Sequence, residues 1–220
     1  MINLYSIDSP FIMFEMLLQI FFAFITLLIS YLALKVYNVT KRKSAKYILI
    51  GFLFMAVSYL VQAIFSFLRL LEYDYEIYLL FGIHPLAIFQ NQSIYLHIFF
   101  MTIGFSFILL TTFKNVSKKL LLIILLPTLL TLLHSRFLLQ SFFVITSVYL
   151  GFMVHHYFLN YAERKNVHPL LITFAFLLLF LGQVEFVFMG SSLLIYLIAN
   201  IFNFLAFILI LVNFYLIVKR

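Results

Sequence analysis

Long apolar stretches separated by short clusters of charge run the length of the chain. A helix needs about 20 apolar residues to cross the hydrocarbon core of a bilayer, and this spacing predicts seven membrane-spanning helices. They fall at about 11–34, 47–70, 93–113, 119–134, 137–160, 169–189 and 193–217, with ends defined to roughly 2–4 residues. The fourth is the shortest and contains Pro127, but Lys118 and Lys119 on one flank and His134 and Arg136 on the other are polar enough to delimit it. Residues 1–10 carry no Lys or Arg and the following apolar run exceeds the roughly 7–15 residues of a signal peptide. The first span is therefore expected to stay in the mature protein.

Basic residues give the expected direction, because cytoplasmic loops are enriched in Lys and Arg. Alternate connections hold Lys35, Lys41, Arg42, Lys43 and Lys46, then Lys114, Lys118 and Lys119, then Arg164 and Lys165, then Lys219 and Arg220. The opposite connections hold only Arg69 and Arg136 and collect Asp8, Glu72, Asp74 and Glu76. The fold class read from this pattern is all-α: one seven-helix transmembrane domain over residues 1–220, N-terminus outside and C-terminus cytoplasmic, in the cell membrane. An odd span count sets helices one to three and five to seven in the same directions, which allows a 3+1+3 parallel repeat. A shift of 121 residues superposes Lys43 on Arg164 and Gln62 on Gln183.

Composition agrees. The chain is 66% hydrophobic and 10% charged, against roughly 45–50% apolar and about 25% charged in soluble domains. Absence of cysteine excludes disulfides, thiolate metal sites and cysteine nucleophiles. The net charge of +7 lies in short basic turns suited to anionic lipid; no nucleic-acid partner is expected.

Between the second and third spans, residues 71–92 read LEYDYEIYLLFGIHPLAIFQNQ. The segment is too polar at its start to span and too apolar later to float freely, so an interfacial helix near Tyr78–Phe89, broken at Gly82 or Pro85, is expected as an outer flap.

An ionisable or polar side chain in a bilayer is a functional candidate facing the bundle interior. Counting inward at about 1.5 Å per residue, Glu15, His97 and Glu185 lie roughly 6 Å below the outer ends, Gln183 and Asn200 about 10 Å, and Gln19, Gln62 and Asn203 on the order of 12–15 Å. These eight are the candidate ligand-binding residues, and one shared outward-opening cavity would keep them all off lipid. The competing reading is that each amide ties two helices by a hydrogen bond of about 1 kcal/mol. Gln183 and Glu185 are two apart on one helix, so only one can be central. The inner half reads as nearly free of polar side chains.

No catalytic residue, metal or cofactor is expected. A two-histidine haem needs ligands at one depth, and His97 is roughly 15–20 Å from His155 or His156; pairs with His84 or His134 stay open. A zinc site built from His97, Glu15 and Glu185 lacks any compact spacing. His155, His156 and His168 read as headgroup contacts. The last span has no lysine for a retinal Schiff base, and Walker, dinucleotide and GxSxG motifs are absent.

The segment LALKVYNVTKRKSAKYILIGFLFMAVSYLVQAIF, residues 32–65, with Lys35, Val36, Tyr37, Thr40 and Tyr47 around its basic turn and Phe52 and Ser58 after it, resembles the first hairpin of small prokaryotic, especially archaeal, multi-pass proteins of unassigned function and of seven-transmembrane sensor modules. The resemblance covers about a sixth of the chain. The outer polar cluster and the absence of catalytic motifs point to a sensor or receptor-like role without enzymatic activity, in which a small ligand or lipid is bound in the outward-facing cavity and a cytoplasmic or membrane protein partner is addressed; in the sensor modules the segment resembles, a kinase or cyclase domain would usually follow. A small-solute or proton-coupled transporter, with Glu15 or Glu185 as coupling carboxylate, is the alternative, and a haem- or metal-binding membrane protein the second.

Overall fold

The computed structural model describes residues 9–72, 86–113, 118–188 and 193–219. Seven α-helices follow one another: α1 Ser9–Thr40, α2 Lys43–Glu72, α3 Leu86–Leu109, α4 Lys118–His134, α5 Leu138–Arg164, α6 Val167–Val187 and α7 Leu193–Lys219. A 3-10 turn, Leu110–Thr112, extends α3. Six of the helices are long and apolar enough to cross a membrane, which marks the chain as a multi-pass membrane protein; α4 is apolar but shorter, 17 residues with Pro127 inside. The expected interfacial helix at Tyr78–Phe89 lies largely outside the described residues, as do its breaks at Gly82 and Pro85; Leu86–Phe89 form the start of α3.

Side-chain pairs fix the helix directions. Against α2, rising numbers on α1 meet falling ones: Glu15 with Arg69, Phe22 with Tyr59, Ser30 with the Leu49 carbonyl. The α2/α3 pair is also antiparallel, through Ser58 with His97 and Tyr47 with Phe107. Helix α3 runs parallel to α5, through His97 with Phe142 and Thr111 with Tyr157. Thr128 bonds Tyr149 and Ser135 bonds Ser141, making α4 antiparallel to α5. Phe143 with Phe186 and Tyr157 with Phe176 set α6 against α5, and Phe186 with Tyr196 and His168 with Asn213 set α7 against α6. Phe11 with Tyr196, Phe21 with Phe204 and Phe22 with Phe207 then bring α7 back alongside α1, parallel to it.

The helices therefore alternate in direction and six of them close a ring, α1–α2–α3–α5–α6–α7, with α4 packed outside on α3 and α5. Every described basic residue except Arg69 and Arg136 sits at or near one end of this ring. Phe22, Phe52, Tyr59 and Phe207 fill its middle with mutual ring contacts. Apolar surface on a membrane helix gains little from leaving lipid, so helix association rests on close van der Waals fit and interhelical hydrogen bonds. The closest fit is between α2 and α3: a Cβ on Gly51 would stand 2.8 Å from the Gly104 carbonyl, and one on Gly104 2.8 Å from the Gly51 carbonyl.

Two turns at the basic end are built alike. Lys41 after α1 and Lys165 after α5 both take a left-handed conformation, φ 53° and 49°. Each donates its N–H to the carbonyl of a tyrosine four residues earlier, Tyr37 at 2.8 Å and Tyr161 at 2.7 Å. A left-handed residue caps the free carbonyls of a helix end and reverses the chain in few residues. The register of these turns differs slightly from the one that aligns Lys43 with Arg164.

Candidate functional site

A polar stripe runs along α2 toward the end of the ring opposite the basic turns. Ser58, Gln62, Ser66 and Arg69 are spaced four, four and three residues apart, which puts them on one helical face. Next to α1 the stripe forms a closed circuit. Arg69 donates to the Ser66 hydroxyl (3.2 Å), Ser66 to Gln19 Oε1 (3.2 Å), and the Gln19 amide to Glu15 (3.3 Å). Glu15 faces Arg69 at 3.6 Å, each side chain 21% exposed. Each side chain in the circuit is held by at least two others, which helps make a charged pair tolerable in a poorly hydrated place.

Lower on the stripe, the Ser58 hydroxyl donates to the His97 carbonyl (2.8 Å) and also meets His97 Nδ1 (2.9 Å). Either atom of the Ser58–His97 pair can donate, according to the imidazole tautomer. Tyr59 and Phe142 stand edge-on to the ring. Gln62, half-buried between Ser58 and Ser66, has no hydrogen-bond partner among the described residues.

Across the ring the second set gathers where α5, α6 and α7 meet. Gln183, 4% exposed, accepts from Thr146 at 3.0 Å. Asn200 donates to the carbonyl of Tyr196 on its own helix (2.9 Å). Asn203 is 3% exposed and its Oδ1 has no partner among the described residues; it leans on Gly182, where an added Cβ would stand 2.8 Å from that oxygen. Glu185 is half-buried and has no side-chain partner among the described residues, so Gln183 is the inward-facing member of that pair.

Two tyrosines stand beside the groups. Tyr196 on α7 meets Phe11 of α1 and Phe186 of α6, and its carbonyl accepts from Asn200; Tyr59 touches His97 and Phe22. The eight sequence candidates thus fall into an α1/α2 circuit (Glu15, Gln19, with Gln62 nearby on the stripe), an α2/α3 contact (His97) and an α6/α7 amide group (Gln183, Asn200, Asn203, with Glu185 to one side). Ser58, Ser66, Arg69, Tyr59, Thr146 and Tyr196 were not among them. The four-residue spacing of Ser58, Gln62 and Ser66 is a signal that reveals the stripe; the tyrosines carry none, because Tyr196 near a helix end reads as part of an aromatic belt and Tyr59 in the middle of α2 as one more packed ring.

The half of the bundle nearer the basic turns, expected to be almost free of polar side chains, holds several. Thr111 bonds Tyr157 (3.0 Å), Ser30 bonds the Leu49 carbonyl (3.0 Å), and His168, read as a headgroup contact, bonds buried Asn213 (3.0 Å). These are isolated pairs between neighbouring helices. Among the described residues no three of His, Asp and Glu come together as a metal-binding group, so His97, Glu15 and Glu185 do not converge on one ion. The chain matches no protein-family model, no curated protein and no solved structure.

Proposed function

We propose that the chain is a seven-span protein of the cell membrane, N-terminus outside, that works as a non-enzymatic sensor or receptor-like module akin to the small prokaryotic seven-helix proteins its first hairpin resembles. It binds a small ligand or a lipid among the outer polar residues and passes the event through its helices to a membrane or cytoplasmic protein. The observation that carries this reading is the gathering of polar groups around Tyr59 and Tyr196, through the contact of Tyr59 with His97 and the bond of Asn200 to the Tyr196 carbonyl, together with Gln62 and Asn203 Oδ1, which have no hydrogen-bond partner among the described residues. A ligand with one donor and one acceptor has ready partners there, and a bound group that satisfies a buried orphan acceptor recovers its desolvation cost.

Alternating helix directions support the seven-span reading, and the basic residues gathered at one end support its cytoplasmic placement. The like-built turns at Lys41 and Lys165 support the 3+1+3 repeat. Transport ranks second because Glu15 is engaged by Arg69 and Gln19, leaving Glu185 as the free carboxylate for proton coupling.

The test is a thermal-stability screen of the purified protein against water-soluble small molecules. At least one compound should raise the unfolding midpoint, and Gln62→Leu/Gln183→Leu/Glu185→Leu should abolish the rise while membrane insertion is kept. A wild-type protein that no compound stabilises overturns the receptor reading. Uptake into proteoliposomes driven by a pH gradient and lost in Glu185→Gln would replace it with transport.

A further inference from the structure

On the far side of the α1/α7 contact, away from the polar circuit, Leu28, Tyr31 and Leu32 of α1 and Leu211, Val212 and Tyr215 of α7 line an apolar groove of about 340 Å³. That is the size of a small-molecule site. Both tyrosines are more than half exposed along its edges, at 52% and 55%. The two helices run parallel and repeat one arrangement: a tyrosine on the groove wall, then a lysine four residues on, Tyr31 with Lys35 and Tyr215 with Lys219. One helical turn is about 5.4 Å, so both lysines stand just beyond the same end of the groove. The Lys35 ammonium lies 4.8 Å from the centre of the Tyr31 ring, which holds it over the wall. Among the described residues, Glu163 is the acidic side chain at this end of the bundle, and it belongs to α5, which packs on α3, α4 and α6.

We infer that this groove is a binding site for one anionic phospholipid, its acyl chain lying against Leu28, Leu32, Leu211 and Val212 and its phosphate held between Lys35 and Lys219. Apolar walls alone do not distinguish a lipid chain from a helix of a second copy. The paired ammonium groups do: a copy docked side by side in the same membrane would bring its own Lys35 and Lys219 to the same level and set like charges against each other, whereas a phosphate is attracted to both. An ammonium at the surface of an anionic membrane contributes about a fivefold gain in binding, so two should give a preference for anionic over zwitterionic lipid of about tenfold or more. The site is independent of the outer polar residues.

The full chain, purified in a mild non-ionic detergent, is mixed with equal amounts of phosphatidylglycerol and phosphatidylcholine, and bound lipid is counted by native mass spectrometry. The wild type should retain phosphatidylglycerol about tenfold over phosphatidylcholine. Lys35→Gln/Lys219→Gln should reduce the ratio to within about twofold, Val212→Trp should displace both lipids by filling the groove, and Lys119→Gln/Lys165→Gln, at the same end of the bundle but on other helices, should leave the ratio unchanged. The inference is overturned if Lys35→Gln/Lys219→Gln keeps the wild-type ratio, if Lys119→Gln/Lys165→Gln lowers it equally, which would make the attraction diffuse, or if Val212→Trp dissolves a dimer while lipid retention stays as before. Both lysines are exposed, so their variants fold as the wild type does, and unfolding midpoints recorded alongside verify it.

Discussion

The two three-helix halves of the ring, α1–α3 and α5–α7, use the same parts to different ends. In each, the middle helix carries a glycine pressed against the third helix and a polar side chain shared with a neighbour. In the first half the glycine meets another glycine, backbone to backbone, and the polar residues form a circuit that closes on an ion pair. In the second half the glycine meets a side-chain amide, whose oxygen has no donor among the described residues. Open polar capacity is present in both halves, on Gln62 and Thr102 Oγ1 in the first and on Asn203 Oδ1 in the second, so what separates them is the contact at the glycine. A side chain can yield to an added methyl where a carbonyl held in a helix cannot.

The glycines break this comparison most sharply. Gly104→Ala should destabilise the protein by about 1–3 kcal/mol, the range for forcing a methyl into a packed interior, because its Cβ has a carbonyl and the Met55 side chain, at 2.9 Å, in its way. Gly151→Ala, with only Phe180 at 3.8 Å, should be nearly silent; unfolding midpoints in detergent compare the two. Next, Arg69→Met should cost about 1–2 kcal/mol, since it leaves Glu15 without its cation in a place only partly reached by water. Adding Glu15→Gln should recover part of that loss, which a double-mutant cycle measures.

In the second half, Gly182→Ala should cost about 1 kcal/mol, and Asn203→Ala should relieve it, because the obstruction there is largely a side chain. Truncating Ile108 should not rescue Gly51→Ala to the same degree, since the Gly104 carbonyl remains 2.8 Å from the new methyl. Gln183→Leu should have the smallest effect, about 0.6 kcal/mol, the average for one hydrogen bond between membrane helices. A loss of several kcal/mol there would mean that the amide group is as tightly welded as the charged circuit.

Helix number and order were legible in the sequence because charge interrupts each apolar run, and in a membrane that pattern alone separates segments that can cross from those that cannot. The short fourth helix was legible through Lys118, Lys119 and His134 in spite of Pro127. The positions of Glu15, Gln19 and Gln183 along their helices could be counted from the sequence at a constant rise. Which neighbour each would meet did not follow. Partner choice depends on the rotation of each helix about its axis, and rotation here is set by contacts such as Gly51 with Gly104 that a uniformly greasy sequence leaves unmarked. Arg69 was counted as a loop charge because α2 runs on to Glu72, past the expected edge of its span. Asn213 passed unnoticed on α7, the most apolar of the described spans, although it is buried and bonded to His168.

Helix α4 has a bearing on the surrounding lipid. Its 17 residues rise about 25 Å, short of the roughly 30 Å hydrocarbon thickness of an ordinary bilayer. Proline at position 127 removes one internal donor and favours a kink there. Were α4 to cross the bilayer, as the seven-span arrangement has it, the mismatch would fall on one flank of an otherwise full-length bundle, and the membrane would have to thin there while keeping its normal depth elsewhere. A change of bilayer thickness would then bear on α4 and, through the bond of Thr128 to Tyr149, on α5, so the same protein should rest differently in short-chain and long-chain lipid.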